Sequence, residues 1–276
     1  MDNNFSGNWN WPDDPRLQEA ISRAEKVAKA WKESMQRVQE ALRPLIEAIE
    51  ENKKKMAEVG PELAKVAKRA SRSLEAVEKM GDAQFVYWDY MTSKYVDDVV
   101  SSDNLNKTLW QYVIHDKFQR VNATIDNSCN MNAMKKRRRL YIQAVRAFQN
   151  GDSDLAVTGF TSVFDGLLAD ISKNSTSRLQ PRIDVIKEKL KTDVVLDHDE
   201  YAMLTLALTF EKTLDSFCAF SDFKRKEPKG LNRHWIAHGR STRKKTKLDC
   251  VKMINLIYGL LLIAEFDTKE EGETNE

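Results

Sequence analysis

An apolar seam runs along the first quarter of the chain, where hydrophobic residues recur at alternating intervals of three and four. The seam extends from Leu17 to Ile49, and the same register continues to Met80, with Asn52 and Ser73 as its polar exceptions. A repeat of about 3.5 residues puts one apolar stripe on a helix, and such a stripe needs a partner helix. The pattern agrees with a dimerising coiled coil and equally with the two arms of an intramolecular helical hairpin, so both alternatives stay open.

Prolines divide this helical region. Asp14 followed by Pro15 predicts a helix start, because Asp caps a helix N-terminus and proline is tolerated in the first turn. Pro44 lies inside the repeat and predicts a kink. Gly60 followed by Pro61 predicts a break, and a hairpin would fold back at this point.

Residues 82–127 are less regular and predict two helices, at about 82–100 and 104–124. Aromatic residues at mixed helical spacings favour a packed core, with stacking on nucleic-acid bases as the alternative. The polar residues 126–128 predict a boundary, so residues 1–127 are interpreted as a helical, coiled-coil-like N-terminal region. The aromatic residues concerned are Phe85, Tyr87, Trp88, Tyr90, Tyr95, Trp110, Tyr112 and Phe118.

The rest of the chain predicts a second helical domain at about 130–266 and an acidic, disordered tail at 267–276. No stretch shows the alternation of apolar and polar residues that is typical of strands, so we expect an all-α protein. The predicted helices of this domain are 132–149, 154–173, 181–191, 198–218, a short segment at 231–238, and 248–266.

The composition agrees with a soluble helical protein. Hydrophobic residues make up 41% of the 276 and charged residues 31%, and 10 Gly and 6 Pro are too few for a turn-rich β protein. The 44 Lys and Arg nearly balance the 42 Asp and Glu. The net charge of +2 therefore does not decide for or against nucleic acid as a partner.

The cysteine pattern and the apolar runs bear on location. Cys129, Cys218 and Cys250 are widely spaced and form no CxxC, which supports neither a disulfide framework nor a zinc knuckle. The first residues lack the apolar segment of a signal peptide. The longest apolar run, 253–266, is shorter than the roughly 20 residues that span a bilayer. We expect reduced thiols, no membrane contact and a cytoplasmic location.

The near-neutral total hides two basic runs. Residues 135–139 are all Lys or Arg, and residues 222–247 hold ten Lys and Arg against two carboxylates. Such runs predict contacts with RNA phosphates, and a solvated charged surface is the alternative. The residues predicted to contact RNA are Lys135, Lys136, Arg137, Arg138, Arg139, Arg240, Arg243, Lys244 and Lys245.

The histidines carry the candidate chemistry, since the sequence has no P-loop, dinucleotide-binding, esterase or metalloprotease motif. Two of the four, His234 and His238, lie in the basic segment 231–240. The pair is compatible with a metal site, although no third ligand is spaced nearby. It is also compatible with a polar turn that caps the last helix. The third interpretation is a site acting on phosphate, since histidine moves protons near neutral pH and arginine stabilises phosphoryl charge.

A resemblance to a known superfamily favours the third interpretation, a site that acts on phosphate. Arg233 and His238, with four residues between them and a glycine and an apolar helix after them, resemble the motif of the HEPN superfamily. Residues 146–152, leading into 160–168, resemble the early helices of that superfamily. The resemblance covers about 130–266. One departure is that the residue after the arginine is commonly asparagine, whereas here it is His234.

The resemblance implies an all-helical endoribonuclease that needs no metal or other cofactor, of the kind found in toxin or anti-phage defence systems. The 2′-OH of RNA attacks the adjacent phosphodiester, His238 transfers the proton, and Arg233 binds the phosphate and stabilises its charge. Asp165, on the second helix, and Asn232 orient this pair, with His234 as a neighbour. An antitoxin or another component of a defence system is the corresponding partner.

The spacing of the motif adds a geometric constraint. Five helical steps turn Arg233 and His238 about 140° apart on an ideal helix, so one helix presents them poorly to a single phosphate. A homodimer with two motifs meeting across a two-fold axis solves this, and HEPN domains pair in that way. Two rivals remain: a non-catalytic HEPN-like module that binds nucleic acid or protein, and a structural coiled-coil adaptor.

Overall fold

The computed structural model describes residues 61–88, 92–174, 178–192 and 200–273. The chain divides into two compact units between Ala67 and Lys68, and of the first unit only the start of one helix is described. The predictions for the seam before residue 60, including the kink at Pro44 and the choice between coiled coil and hairpin, lie outside the described residues.

The described residues form ten α-helices and one 3-10 turn, and they contain no strand, which confirms the all-α prediction. None of these helices is both long and apolar enough to cross a membrane. In chain order they are α1 (Pro61–Asp82), α2 (Ser93–Val100), α3 (Leu105–His115), α4 (Gln119–Asn130), the 3-10 turn (Asn132–Met134), α5 (Arg138–Gln149), α6 (Ser153–Ile171), α7 (Leu179–Thr192), α8 (Glu200–Cys218), α9 (Arg233–Ala237) and α10 (Lys247–Glu273).

Left-handed backbone explains why residues 82–130 form more helices than the two predicted. Gln84, two residues after the end of α1, has φ 59°, and the chain leaves the direction of that helix there. Between α3 and α4, Lys117 and Phe118 have φ 54° and 66°. An L-residue rarely adopts such angles, and none of the three is a glycine, so the sequence carried no turn signal there.

The structure differs from the boundary predicted at residues 126–128. Helix α4 continues through it to Asn130 and packs against α10, with Val121, Thr124, Ile125 and Ser128 buried. The predicted core role of the aromatic residues is confirmed for Phe85, Tyr87 and Tyr95, while Tyr90 lies outside the described residues. Residues 68–130 therefore share one core with the C-terminal helices.

The C-terminal end also differs from prediction. Helix α10 continues to Glu273, through most of the segment expected to be a disordered acidic tail. The residues from 268 to 271, Thr-Lys-Glu-Glu, include three good helix formers and no proline, which permits the helix to extend.

Helix α6 forms the centre of the core. It packs against α5 on one side and α10 on another, and it also contacts α7 and α9. Phe160, Phe164 and Leu167 on α6 are fully buried. Gly159 permits the close approach of α5, because a Cβ there would lie 2.8 Å from the Cβ of Ala144. This tight packing fixes the backbone of α6, and with it the point from which the Asp165 side chain extends.

Candidate functional site

The motif segment is a single short helix held at both ends. At its start, Asn232 accepts a hydrogen bond from the Trp235 N–H (3.2 Å) and donates one to the Ala219 carbonyl (2.9 Å). The first bond caps α9, and the second ties α9 to the end of α8. Asn232 is 3% exposed. The amide of Asn232 therefore makes its hydrogen bonds within the fold, and Asn232 positions the site by capping α9.

The other end of α9 closes in a Schellman motif. The Arg240 N–H donates to the Trp235 carbonyl (2.9 Å) and the Gly239 N–H donates to the Ile236 carbonyl (3.0 Å). Gly239 has φ 63°, which is the left-handed conformation that this motif requires. The glycine that follows the motif thus ends α9 and leaves His238 at the helix exit, exposed to solvent.

The buried side chain of Gln84 holds the backbone segment that precedes the motif. The Gln84 side chain accepts a hydrogen bond from the Leu231 N–H (2.6 Å) and donates to the Leu231 carbonyl (2.7 Å) and to Ser216 Oγ (3.0 Å). Gly230 leaves room for it, since a Cβ there would lie 2.6 Å from Gln84 Oε1. Gln84 therefore fixes the point at which the chain enters the motif.

Arg233 is paired with Asp165 from the central helix α6. Nε lies 3.0 Å from both carboxylate oxygens, and Nη2 lies 2.8 Å from Oδ2. Both side chains are about a quarter exposed. The hydrogen bond to Asp165 raises the pKa of Arg233, against the lowering effect of burial. Nη1 of Arg233 makes no hydrogen bond within the described part of the chain, so one edge of the guanidinium stays available for an anion.

The two histidines stand in an aromatic layer. The His234 ring stacks on Phe223 with centroids 4.4 Å apart and an interplanar angle of 5°, and the His238 ring lies 4.7 Å from that of His234. Phe220 lies 5.2 Å from His234 and is 83% exposed. The Arg240 guanidinium lies 5.0 Å from the centre of the Phe223 ring. The layer holds His234 in place and leaves the His238 imidazole open to solvent.

The charges around the layer bear on proton transfer. Partial burial, the charge of His238 and then that of Arg233 lower the pKa of His234, which favours its neutral form at neutral pH. Cys218 lies near the same pair, and burial followed by the charge of Asp165 raises the pKa of its thiol well above its ordinary value. A protonated thiol is a poor nucleophile, so the imidazoles are the groups suited to proton chemistry here.

The predicted RNA-binding residues fall into two groups. Arg137 is paired with Asp170 (3.2 Å), Arg243 with Asp249 (3.0 Å), and Lys245 is buried beside Glu227 (3.6 Å). These three cations are engaged within the fold. The exposed ones are Lys135, Lys136, Arg138, Arg139, Arg240 and Lys244.

Glu227 organises the loop after the motif. Its carboxylate accepts hydrogen bonds from the Thr242 N–H (2.9 Å), the Arg243 N–H (3.1 Å) and the Ser241 hydroxyl. Burial alone would raise the pKa of Glu227, but these hydrogen bonds and the charge of Lys245 lower it to about 2. Glu227 thus holds the backbone of 242–243 and the ammonium of Lys245, and only part of the basic run faces solvent.

The structure bears on the other interpretations of the histidine pair. Within the described residues, no group of three or more His, Cys, Asp and Glu side chains is arranged to hold a metal ion. The structural interpretation, a polar turn that caps the last helix, stays a prediction: the segment is a short helix with its own caps, and these set Arg233 and His238 at its two ends.

Sequence reasoning missed several residues of this site. Gln84 contacts a residue 147 positions away, and no local pattern announces such a bond. Phe220 and Phe223 lie in the irregular segment between α8 and α9, where periodicity gives no sign of burial or exposure. The only available signal was a pair of aromatic residues close to a histidine-bearing basic run.

Comparison of the chain with protein-family models, with curated proteins and with solved structures finds no match.

Substitution of Gln84 by methionine, which has nearly the same shape, should destabilise the protein by about 2–4 kcal/mol. It leaves the buried N–H and carbonyl of Leu231 without partners, and each such loss costs about 1–3 kcal/mol. Urea denaturation measures the effect. Gln180→Met, at an exposed glutamine that bonds Asp184 (2.8 Å), is the matched control and should change stability by less than about 0.5 kcal/mol. Equal effects of the two substitutions would contradict the stabilising role of the hydrogen bonds between Gln84 and Leu231.

A double-mutant cycle of Asp165→Ala and Arg233→Ala should give a coupling free energy of about 1–3 kcal/mol, because the pair is bidentate and partly buried. Chemical denaturation of the four proteins provides the measurement. The Asp82–Lys212 pair (3.2 Å), whose side chains are more exposed, serves as the comparison and should give about 0–1 kcal/mol. A coupling near zero for Asp165 and Arg233 would show that their contact does not hold in solution.

Proposed function

We propose that this protein is a metal-independent endoribonuclease of the toxin or anti-phage defence type, related to the HEPN superfamily. The observation that carries the proposal is the bidentate contact of Asp165 with Arg233 at the start of the short helix α9, at whose other end the imidazole of His238 is exposed. The acidic residue comes from the helix on which the resemblance expects it. A salt bridge alone is common in proteins, and what gives this one chemical meaning is that an exposed histidine lies on the same short helix.

The chemistry follows from the three side chains. The 2′-oxygen of RNA attacks the adjacent phosphorus and the bond from phosphorus to the 5′-oxygen breaks, which leaves a 2′,3′-cyclic phosphate and a 5′-OH. His238 takes up the proton of the 2′-OH and returns a proton to the leaving oxygen. Arg233, oriented by Asp165, binds the scissile phosphate and stabilises the charge that develops on it.

The two ends of α9 support pairing of two chains. Arg233 opens the helix and points to Asp165, while His238 lies after its last residue among the aromatic rings. A homodimer whose motifs meet across a two-fold axis brings an arginine and a histidine from different chains to one phosphate. In this arrangement the active site is composite, and the monomer is inactive.

A second candidate is the non-catalytic binding module, and the exposed Phe220 favours it. A phenylalanine that is 83% exposed beside Phe223, His234 and Arg240 is suited to stacking on an unpaired base or to packing on a protein. Such a surface needs no proton transfer, so cleavage assays separate the two candidates.

Incubation of the purified protein with total RNA in EDTA should give cleavage that the His238→Ala and Arg233→Ala variants lack. Loss of a proton-transfer group typically costs about 10²–10⁴ in rate. His115→Ala, at an exposed histidine on α3, is the matched control and should cleave as the wild type does. His234→Ala should reduce cleavage only in part, since this residue orients its neighbour. The products should carry 2′,3′-cyclic phosphate, which gel mobility before and after acid treatment reveals.

Three outcomes would count against the enzyme. Activity that requires a divalent ion, or that survives in His238→Ala, contradicts the proposed mechanism. RNA binding without cleavage under any condition, unchanged in His238→Ala, supports the binding module instead.

The proposed composite site predicts a dimer at micromolar concentration. Sedimentation velocity should give the mass of two chains, and a cross-link between cysteines introduced at Arg240 should form within the dimer, because Arg240 lies two residues after His238 and is exposed. A stable monomer that still cleaves RNA would show that one chain holds a complete site.

A further inference from the structure

A basic cavity of about 790 Å³ lies in the second unit, outside the motif segment. It is bordered by the end of α1, the start of α3, the loop before α9 and the start of α10. Five cationic side chains line the cavity, against only two carboxylates. The cations are Lys107, Lys229, Arg243, Lys247 and Lys252.

Both carboxylates of the cavity are already neutralised. Asp82 is paired with Lys212 (3.2 Å). Asp249 accepts hydrogen bonds from Arg243 (3.0 Å), from the Thr246 N–H (2.8 Å) and from the Thr246 hydroxyl (2.9 Å). Each carboxylate is thus matched by one cation, and the remaining lysines give the cavity an excess of positive charge.

Lys252 is the residue that points most directly to a ligand. Its side chain lies on α10, and the residue is 7% exposed. Its ammonium donates to the amide oxygen of Asn106 (2.8 Å), and it forms no ion pair within the described part of the chain. A buried charge is normally paired, because removal of an ion from water is costly. An ammonium buried against a neutral amide, on the wall of a cationic cavity, is suited to pair with an anion.

We propose that this cavity binds a phosphate-bearing ligand, with Lys252 at its base and Lys107, Lys229 and Lys247 at its rim. The excess charge favours an anion with more than one negative charge over a simple carboxylate. Lysine binds phosphate as a compact point charge, and Thr246 and Asn104 add neutral hydrogen-bonding groups to the wall. Trp110 on the same wall provides a surface on which a base stacks, so the phosphate of a free nucleotide and that of RNA share the required chemistry.

The ionisation of Lys252 gives the site a pH dependence. Burial lowers the pKa of Lys252 to about 8, with the charge of Asp249 opposing this shift and that of Arg243 adding to it. Lys107, Lys229 and Lys247 also face the cavity, as does Asp82. A bound anion stabilises the ammonium, so binding takes up a proton near pH 8 and should weaken as the pH rises above that value.

Calorimetric titration of the full chain with inorganic pyrophosphate at low salt tests the proposal. The wild type should bind, Lys252→Met should bind roughly tenfold more weakly or not at all, and binding by the wild type should decline between pH 7 and pH 9.5. Lys94→Met, at an exposed lysine on α2 that does not line the cavity, is the matched control and should bind as the wild type does. Lys107→Gln and Lys247→Gln, at the exposed rim, should each weaken binding several-fold, which covers the case in which Lys252→Met does not fold.

A parallel titration with a single-stranded oligonucleotide that has 2′-O-methyl groups distinguishes the two sources of phosphate. Loss of pyrophosphate binding alone in Lys252→Met identifies a free phosphate ligand, and loss of both identifies an RNA phosphate. Neither titration involves cleavage, and His238→Ala should bind pyrophosphate normally, so the result is independent of the proposed nuclease. Absence of pyrophosphate binding by the wild type, or equal affinity in the wild type, Lys252→Met and the rim variants, would overturn the proposal.

Discussion

The packing of α6 against α5 and α10 is the constraint on which the candidate site depends. Phe160, Phe164 and Leu167 are buried completely, so this helix can neither rotate nor slide without loss of core contacts. Asp165 lies on the same helix, so its backbone is held in place by the packing of its apolar neighbours. Arg233 meets a carboxylate whose place is set by the core, and the geometry of the pair is therefore determined before any ligand binds.

The motif helix is too short to supply its own stability. Five residues of α-helix are far below the length at which an isolated helix persists in water. Its order comes from outside: the Asn232 cap, the Gly239 turn, and the bonds of Gln84 to the backbone of Leu231. The histidines are placed by these backbone contacts, and the ring of Phe223 then limits the rotation of His234.

Local patterns predicted the helices of residues 130–266 closely, because Asn150-Gly151 and Pro228-Lys229-Gly230 mark turns that the chain does make. They failed where non-glycine residues adopt left-handed backbone, as at Lys117 and Phe118, since tertiary packing rather than local preference sets those angles. For the site, the resemblance singled out Arg233, His238 and Asp165, and the structure brings the first and third together. The roles of Gln84 and Lys252 could not be predicted from local patterns, because their hydrogen-bond partners lie far away in the sequence.

The basic runs show why charge along a sequence does not translate directly into a binding surface. Arg243 and Lys245 belong to the densest run of positive charge, yet Asp249 and Glu227 neutralise them inside the fold. Lys252 belongs to the apolar helix α10, outside both basic runs, yet it is buried and forms no ion pair in the described part of the chain. What decides whether a cation serves a ligand is the balance between its burial and its partners. By that criterion Arg233 is held by a carboxylate with one edge available, while Lys252 is buried with a neutral amide as its hydrogen-bond partner.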